Sequence, residues 1–171
     1  SSEEKRVVLS PEAVRILNQN GIEVMVETQA GDRAKFSDRQ FSDAGAKIVY
    51  SRKEAFAADV VAKVNAPTEE EIADMSVGAC LISALQLEKQ ASSYIQALNT
   101  KKITSLAFEY LEDKVGGMPV VRAMSEIAGS TVMQIASEYL SSVNEGKRLI
   151  LGGITGVPPT QVVIIGAGTV A

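Results

Sequence analysis

The chain has 171 residues, 46% of them hydrophobic, 22% charged and 5% aromatic, with one cysteine, no tryptophan and no histidine, a make-up ordinary for a globular domain. Its 17 Lys and Arg against 21 Asp and Glu leave a net charge of −4 in mixed signs, so the basic patch of a nucleic-acid-binding protein is missing. Without histidine the chain encodes no Ser-His-Asp or Cys-His nucleophile and no His-ligated zinc; carboxylates, Lys, Arg or a cofactor must carry any chemistry, and no metal site is expected.

In chain order, Ser10-Pro11-Glu12 reads as a helix start, a hydroxyl N-cap followed by Pro where the lost N–H costs nothing. Val14 and Leu17 give its apolar stripe and Gly21 its stop; a strand follows over 22–26. Three more starts carry a hydroxyl with a long acceptor three residues on: Ser37 with Gln40, Ser51 with Glu54 and Thr68 with Glu71. Strands are expected over 46–50, 59–64, 79–84 and 103–108, with a surface helix over 88–98. Strands alternating with amphipathic helices predict α/β architecture, a parallel sheet covered by helices on both faces. Cys80, within Ala79-Cys80-Leu81-Ile82, reads as a small buried hydrophobe in a reducing compartment. The opening residues lack a leader pattern and no apolar run reaches the roughly 20 residues that cross a bilayer, so the chain reads as cytoplasmic.

After Phe108 come a polar loop over 112–117 and a helix expected from about 124 to 140, with Ile127, Thr131, Val132, Ile135 and Tyr139 at helical spacing. Gly129 lies inside it, where glycine costs about 1 kcal/mol against Ala, so a close packing contact is expected there. A Gly- and Pro-rich loop over 151–160 leads to the apolar run 161–165, which reads as a buried strand. That run enters Gly166-Ala167-Gly168-Thr169-Val170-Ala171, matching G-x-G-x-x-A. In a dinucleotide-binding turn the first glycine permits the bend, the second lets the backbone approach a pyrophosphate, and the small last residue lets helix pack on strand.

Lys5-Arg6-Val7-Val8-Leu9-Ser10-Pro11, Thr28-Gln29-Ala30-Gly31-Asp32, Lys63-Val64-Asn65-Ala66-Pro67, Met124-Ser125-Glu126-Ile127-Ala128-Gly129 and Gly152-Gly153-Ile154-Thr155-Gly156-Val157-Pro158-Pro159 before the glycine turn resemble the alanine dehydrogenase / pyridine nucleotide transhydrogenase alpha-subunit family. The likeness runs through essentially the whole chain in the family's order. It implies a two-domain oxidoreductase of Rossmann-like domains with NAD in the cleft. The expected division is a substrate-side domain over 1–123, a connecting helix and loop over 124–160, and the first strand and turn of an NAD-binding domain over 161–171. On that reading the parallel sheet is truncated before the second domain is complete, and this stretch alone is not expected to hold NAD tightly. The family's usual strand ahead of the Lys-Arg-Val motif is absent, which predicts an exposed sheet edge.

The resemblance also assigns roles. Arg6 matches an arginine that holds the substrate carboxylate, a planar partner suited to a guanidinium fork. The family's substrate-contacting lysine falls at Asn65 and its catalytic histidine at Gln86; an amide can hydrogen-bond a carbonyl but delivers no proton near neutrality. Lys63 is a candidate substitute for the lost lysine. Ser125 matches a position that approaches the cofactor, or else caps the long helix, while Gly166, Gly168 and Ala171 would take the pyrophosphate. Glu109, at a strand's C-terminal end, reads as a surface carboxylate. The implied reaction is reversible oxidative deamination of L-alanine to pyruvate and ammonium by hydride transfer to NAD, in a homo-oligomer acting on a small molecule. The alternatives are a transhydrogenase alpha subunit passing hydride from NADH to NADP beside a membrane subunit, and a catalytically degenerate nucleotide-binding regulator.

Overall fold

The computed structural model describes residues 4–142 and 145–170. The chain forms two compact units, Ser1–Glu109 and Tyr110–Ala171.

The first unit begins with α1 (Pro11–Gln19), where the Ser10 hydroxyl accepts from the Ala13 amide at 3.2 Å and Pro11 takes the first turn. Val14 is its wholly buried residue. The expected strand 22–26 is shorter and later, β1 (Met25–Glu27), pairing in parallel with β2 (Lys47–Val49) from Met25 opposite Lys47. Between them lies α2 (Asp38–Asp43), whose Ser37–Gln40 capping box closes in both directions. Asp38 clamps the preceding loop: its carboxylate accepts the Thr28 hydroxyl at 2.6 Å and the Gln29 amide at 2.8 Å. Val14, Val24, Phe41, Ala44 and Ala46 form one core here.

The second half of the unit holds a three-stranded parallel sheet in the order β3–β4–β5, with β3 (Val60–Asn65), β4 (Cys80–Ala84) and β5 (Thr104–Ala107). The helices α3 (Arg52–Phe56), α4 (Glu69–Asp74) and α5 (Ser92–Thr100) lie between these strands in sequence. Phe56, Val61, Ile72, Met75, Leu81, Leu85, Tyr94 and Leu98 make its core. The parallel α/β architecture expected from the alternating pattern is therefore present, divided into a two-stranded and a three-stranded sheet. The Thr68–Glu71 box at the start of α4 is complete. At α3 only half of one forms: Ser51 accepts the Glu54 amide, while the Glu54 carboxylate turns to the Lys47 ammonium 3.5 Å away. Cys80 is half-buried. The helix expected over 88–98 is interrupted, because residues 87–89 form a 3-10 turn and the Gln90 side-chain amide donates to the Leu85 carbonyl at 2.8 Å, so that α5 starts only at Ser92.

In the second unit the long helix α6 (Pro119–Leu140) starts five residues before the expected point, with Pro119 in its first turn. None of its residues is buried, although Ile127, Val132, Ile135 and Tyr139 are apolar. The run 161–165 forms no ladder among the described residues, and Val163 and Ile165 are 84% and 97% exposed. An apolar run becomes a strand only where a neighbour supplies the other half of each N–H···O=C pair. Among the described residues no helix is long and apolar enough to cross a membrane.

Candidate functional site

Parallel strands all end on one edge, and open α/β sheets place ligands there. The residues closing β3, β4 and β5 at that edge are Lys63 and Asn65, Gln86, and Glu109.

On β3 the register is irregular: Val60, Val61 and Ala62 stand opposite Cys80, Leu81 and Ile82, but Asn65 stands opposite Ala84. One extra residue is accommodated, as in a bulge, which re-aims side chains at a strand end. Lys63 donates to the Glu71 carboxylate at 2.5 Å, with 23% and 14% of the two side chains exposed. The same carboxylate oxygen accepts the Thr68 amide at 2.7 Å. Burial pushes the Glu71 carboxyl up, but the hydrogen bonds from Lys63 and the Thr68 amide, with the lysine's charge, outweigh it and leave it below its ordinary value. Burial, reinforced by the Glu71 charge, pushes the nearby Tyr94 phenol up to about 12, and its buried hydroxyl finds no partner. Lys63 is thus held by α4. Asn65 is half-buried at the strand end.

Gln86, separated from β4 by Leu85, has φ 45° and ψ 52°, in the left-handed region. Its side-chain carbonyl accepts from the Lys89 ammonium at 2.9 Å and its backbone N–H donates to Glu109 Oε1 at 2.7 Å. Glu109, read as a surface carboxylate, is half-buried, and its Oε2 lies out of solvent without a partner. Glu71, Tyr94 and Glu109 escaped sequence reasoning in these roles. Glu71 was visible only as a capping partner and Tyr94 only as one position within the surface helix expected over 88–98. The position of Glu109 after a strand was the one usable signal.

Arg6 precedes α1. Its Nε and Nη2 donate to the two oxygens of Glu4, each at 2.8 Å, and its backbone N–H donates to Oε1 at 2.9 Å. This fork, led by the side-chain hydrogen bond, pulls the Glu4 carboxyl down to about 2 and raises Arg6. The guanidinium therefore already grips one carboxylate in the planar manner a carboxylate ligand would use.

In the second unit Ser125 lies mid-helix; because α6 begins at Pro119, this serine does not cap it. Four residues on, along the same helical face, a Cβ on Gly129 would stand 2.5 Å from the Val170 carbonyl oxygen. That is the close approach expected at Gly129, and it seats the glycine turn against α6. Gly166 has φ +117°, which a side chain would strain, and Cβ atoms on Gly166 or Gly168 would meet nothing within 4 Å. The bend and the open backbone fit the approach of a pyrophosphate. Ala171 lies outside the described residues.

The structure brings Lys63, Asn65, Gln86 and Glu109 to one sheet edge, and Ser125 and the glycine turn to one helix face. Parallel strands with ligand-type residues at their C-terminal edge, in a chain that also carries a dinucleotide-type turn, define a Rossmann-like α/β protein. The model for the alanine dehydrogenase/PNT N-terminal domain matches residues 1–128 and that for the C-terminal domain residues 132–171, so the chain belongs to the alanine dehydrogenase/PNT family. An alanine dehydrogenase of Staphylococcus epidermidis is 40% identical over 96% of this chain and 44% of its own length, and alanine dehydrogenase 2 of Staphylococcus aureus is 38% identical over the same shares. A solved L-alanine dehydrogenase superposes with TM-score 0.91 at 37% identity, over 98% of this chain and 46% of its own. A solved transhydrogenase from Sinorhizobium meliloti gives 0.75 at 28% identity, over 81% and 42%. The chain spans less than half the length of these relatives.

Proposed function

We infer that the protein is an NAD-linked oxidoreductase that interconverts L-alanine with pyruvate and ammonium. The single observation carrying this reading is the approach of Val170 to Gly129, which seats the glycine turn on the helix bearing Ser125 in a chain 40% identical to an alanine dehydrogenase over nearly all its length. Gly166, Gly168, Ala171 and Ser125 would hold the dinucleotide, which when bound supplies the hydride-carrying chemistry. Arg6 grips the substrate carboxylate through two parallel N–H donors, a role that requires Glu4 to yield or share the fork. Gln86 and Asn65 offer amide donors that orient a carbonyl oxygen without giving up a proton. Lys63, tied to Glu71, stands at the same edge as the candidate substitute for the lysine that Asn65 replaces. The protein works as a homo-oligomer in the cytoplasm, the exposed apolar residues of α6 supplying surface for assembly.

A second reading, hydride transfer between NADH and NADP, is favoured by Asn65 and Gln86 standing where a dehydrogenase would keep proton-handling groups. The test is NADH consumption by the full-length protein with pyruvate and ammonium. Turnover that requires both supports the dehydrogenase; reduction of an NADP analogue by NADH without them refutes it in favour of transhydrogenation. Neither activity, with NAD bound, leaves a nucleotide-binding regulator.

A further inference from the structure

Gln86 occupies a conformation that costs a side-chain-bearing residue energy, and it does so with only Leu85 between it and the end of β4. Lys35 and Lys102, also left-handed, each follow a helical segment, where such a residue is the ordinary stop signal, whereas Gln29, left-handed two residues beyond β1, has its N–H held by Asp38 Oδ1 at 2.8 Å, the same device as at Gln86. At Gln86 no helix has ended. What holds it is Glu109 Oε1, which accepts the Gln86 N–H at 2.7 Å from the end of the neighbouring strand. A carboxylate is a costly acceptor to spend on one backbone amide, more so with its second oxygen buried and unpartnered. Register explains how it reaches: Ser83 lies opposite Ala107, so the residues just beyond the two strand ends are neighbours across the edge.

We propose that Glu109 is the positioning residue of the substrate edge: its carboxylate locks Gln86 in the left-handed conformation and thereby fixes where the Gln86 amide meets the substrate carbonyl. This rests on the dehydrogenase reading for what Gln86 meets, and on geometry alone for the lock. Glu109 acts through Gln86 and touches no reacting atom.

The test compares Glu109→Ala and Glu109→Gln in the full-length protein by residue-resolved amide hydrogen exchange and by steady-state kinetics. Loss of a charge-assisted acceptor speeds exchange at Gln86 by about tenfold or more, and raises the KM for the oxo acid about tenfold with the KM for NADH unchanged. Glu109→Gln retains an acceptor oxygen and restores both to within about threefold of wild type. Unchanged exchange at Gln86 in Glu109→Ala overturns the proposal. So does Glu109→Gln behaving like Glu109→Ala, or faster exchange spread evenly along β4 and β5, which marks a merely structural role. If wild type turns over no oxo acid, the dehydrogenase reading falls, and accelerated exchange confined to Gln86 still upholds the lock. Should Glu109→Ala fail to fold, wild-type exchange at Gln86 in Glu109→Gln supports the proposal and tenfold faster exchange overturns it.

Discussion

Replacing Glu71 should reveal how much of the first unit hangs on one carboxylate. Its Oε2 accepts both the Lys63 ammonium and the Thr68 amide. Glu71→Ala therefore removes an acceptor from a helix-start amide, about 0.5–1 kcal/mol. It also leaves Lys63, with 23% of its side chain exposed, without its partner, about 1–2 kcal/mol for a pair between surface and core values. The sum is about 1.5–3 kcal/mol, and with a urea m-value of about 1.5 kcal/mol/M the midpoint falls by roughly 1–2 M. Glu71→Gln keeps an oxygen for the Thr68 amide and should lose about half as much. The folded carboxyl lies below its ordinary 4.5, so its contribution is complete above that value and disappears as pH falls through the folded value. Wild type and Glu71→Gln should accordingly converge in acid. The assay is urea unfolding by circular dichroism, with Lys63→Met closing a double-mutant cycle. Equal losses for Glu71→Ala and Glu71→Gln, with a coupling to Lys63 below about 0.3 kcal/mol, would refute the reasoning.

Tyr94, its phenol pushed up to about 12, should ionise well above the ordinary phenol range in an alkaline absorbance titration. Because its pKa is raised, the stability it contributes is full below pH 10 and fades as pH climbs toward 12, and Tyr94→Phe should flatten that fall. Gly129→Ala gains about 1 kcal/mol of helix propensity yet sets a methyl 2.5 Å from the Val170 carbonyl oxygen; calorimetry on the full-length protein should show NAD affinity falling about tenfold at unchanged helix content, and unaltered affinity would remove Ser125 and the turn from the cofactor site. Arg6→Ala should chiefly raise the KM for the carboxylate substrate. Glu4→Gln, which weakens the fork that Arg6 already grips, should lower that KM if Glu4 competes with substrate, and an unchanged KM in both variants would remove Arg6 from the site.

Features set by residues three or four apart were legible in the sequence. The Ser10-Pro11 start, the Ser37 and Thr68 boxes and the order of strands and helices follow from local capping and periodicity. Pro119 carried the true start of α6, which the apolar spacing alone put at 124. What could not be read depends on contacts between elements. The pairing of Asn65 with Ala84 arises in the fit of β3 to β4. Lys63 and Glu71 meet because α4 folds back over β3, and Glu54, which has the spacing of a capping box, prefers a lysine supplied by β2. In 161–165 an apolar run resembles a strand whether or not a neighbour is there to pair with it. At the candidate site, the resemblance pointed to Gln86 and Asn65, but the left-handed backbone and its carboxylate anchor appear only when two strands end side by side.

Three departures from local rules share one edge of the three-stranded sheet, though the first unit holds others, the left-handed Gln29 after β1 and the unpartnered buried hydroxyls of Ser83, Tyr94 and Ser105 among them. The bulge on β3, the left-handed Gln86 after β4 and the orphaned oxygen of Glu109 after β5 all lie on the C-terminal edge of a three-stranded sheet. At the opposite edge the strands begin in regular register, Val60 and Thr104 both standing opposite Cys80, and the left-handed Lys102 there simply ends α5. What sets this edge apart is that a bulge, a left-handed residue and a carboxylate oxygen without a partner come from three adjacent strands, so a change at Glu109 should be felt first at Gln86, the residue it binds.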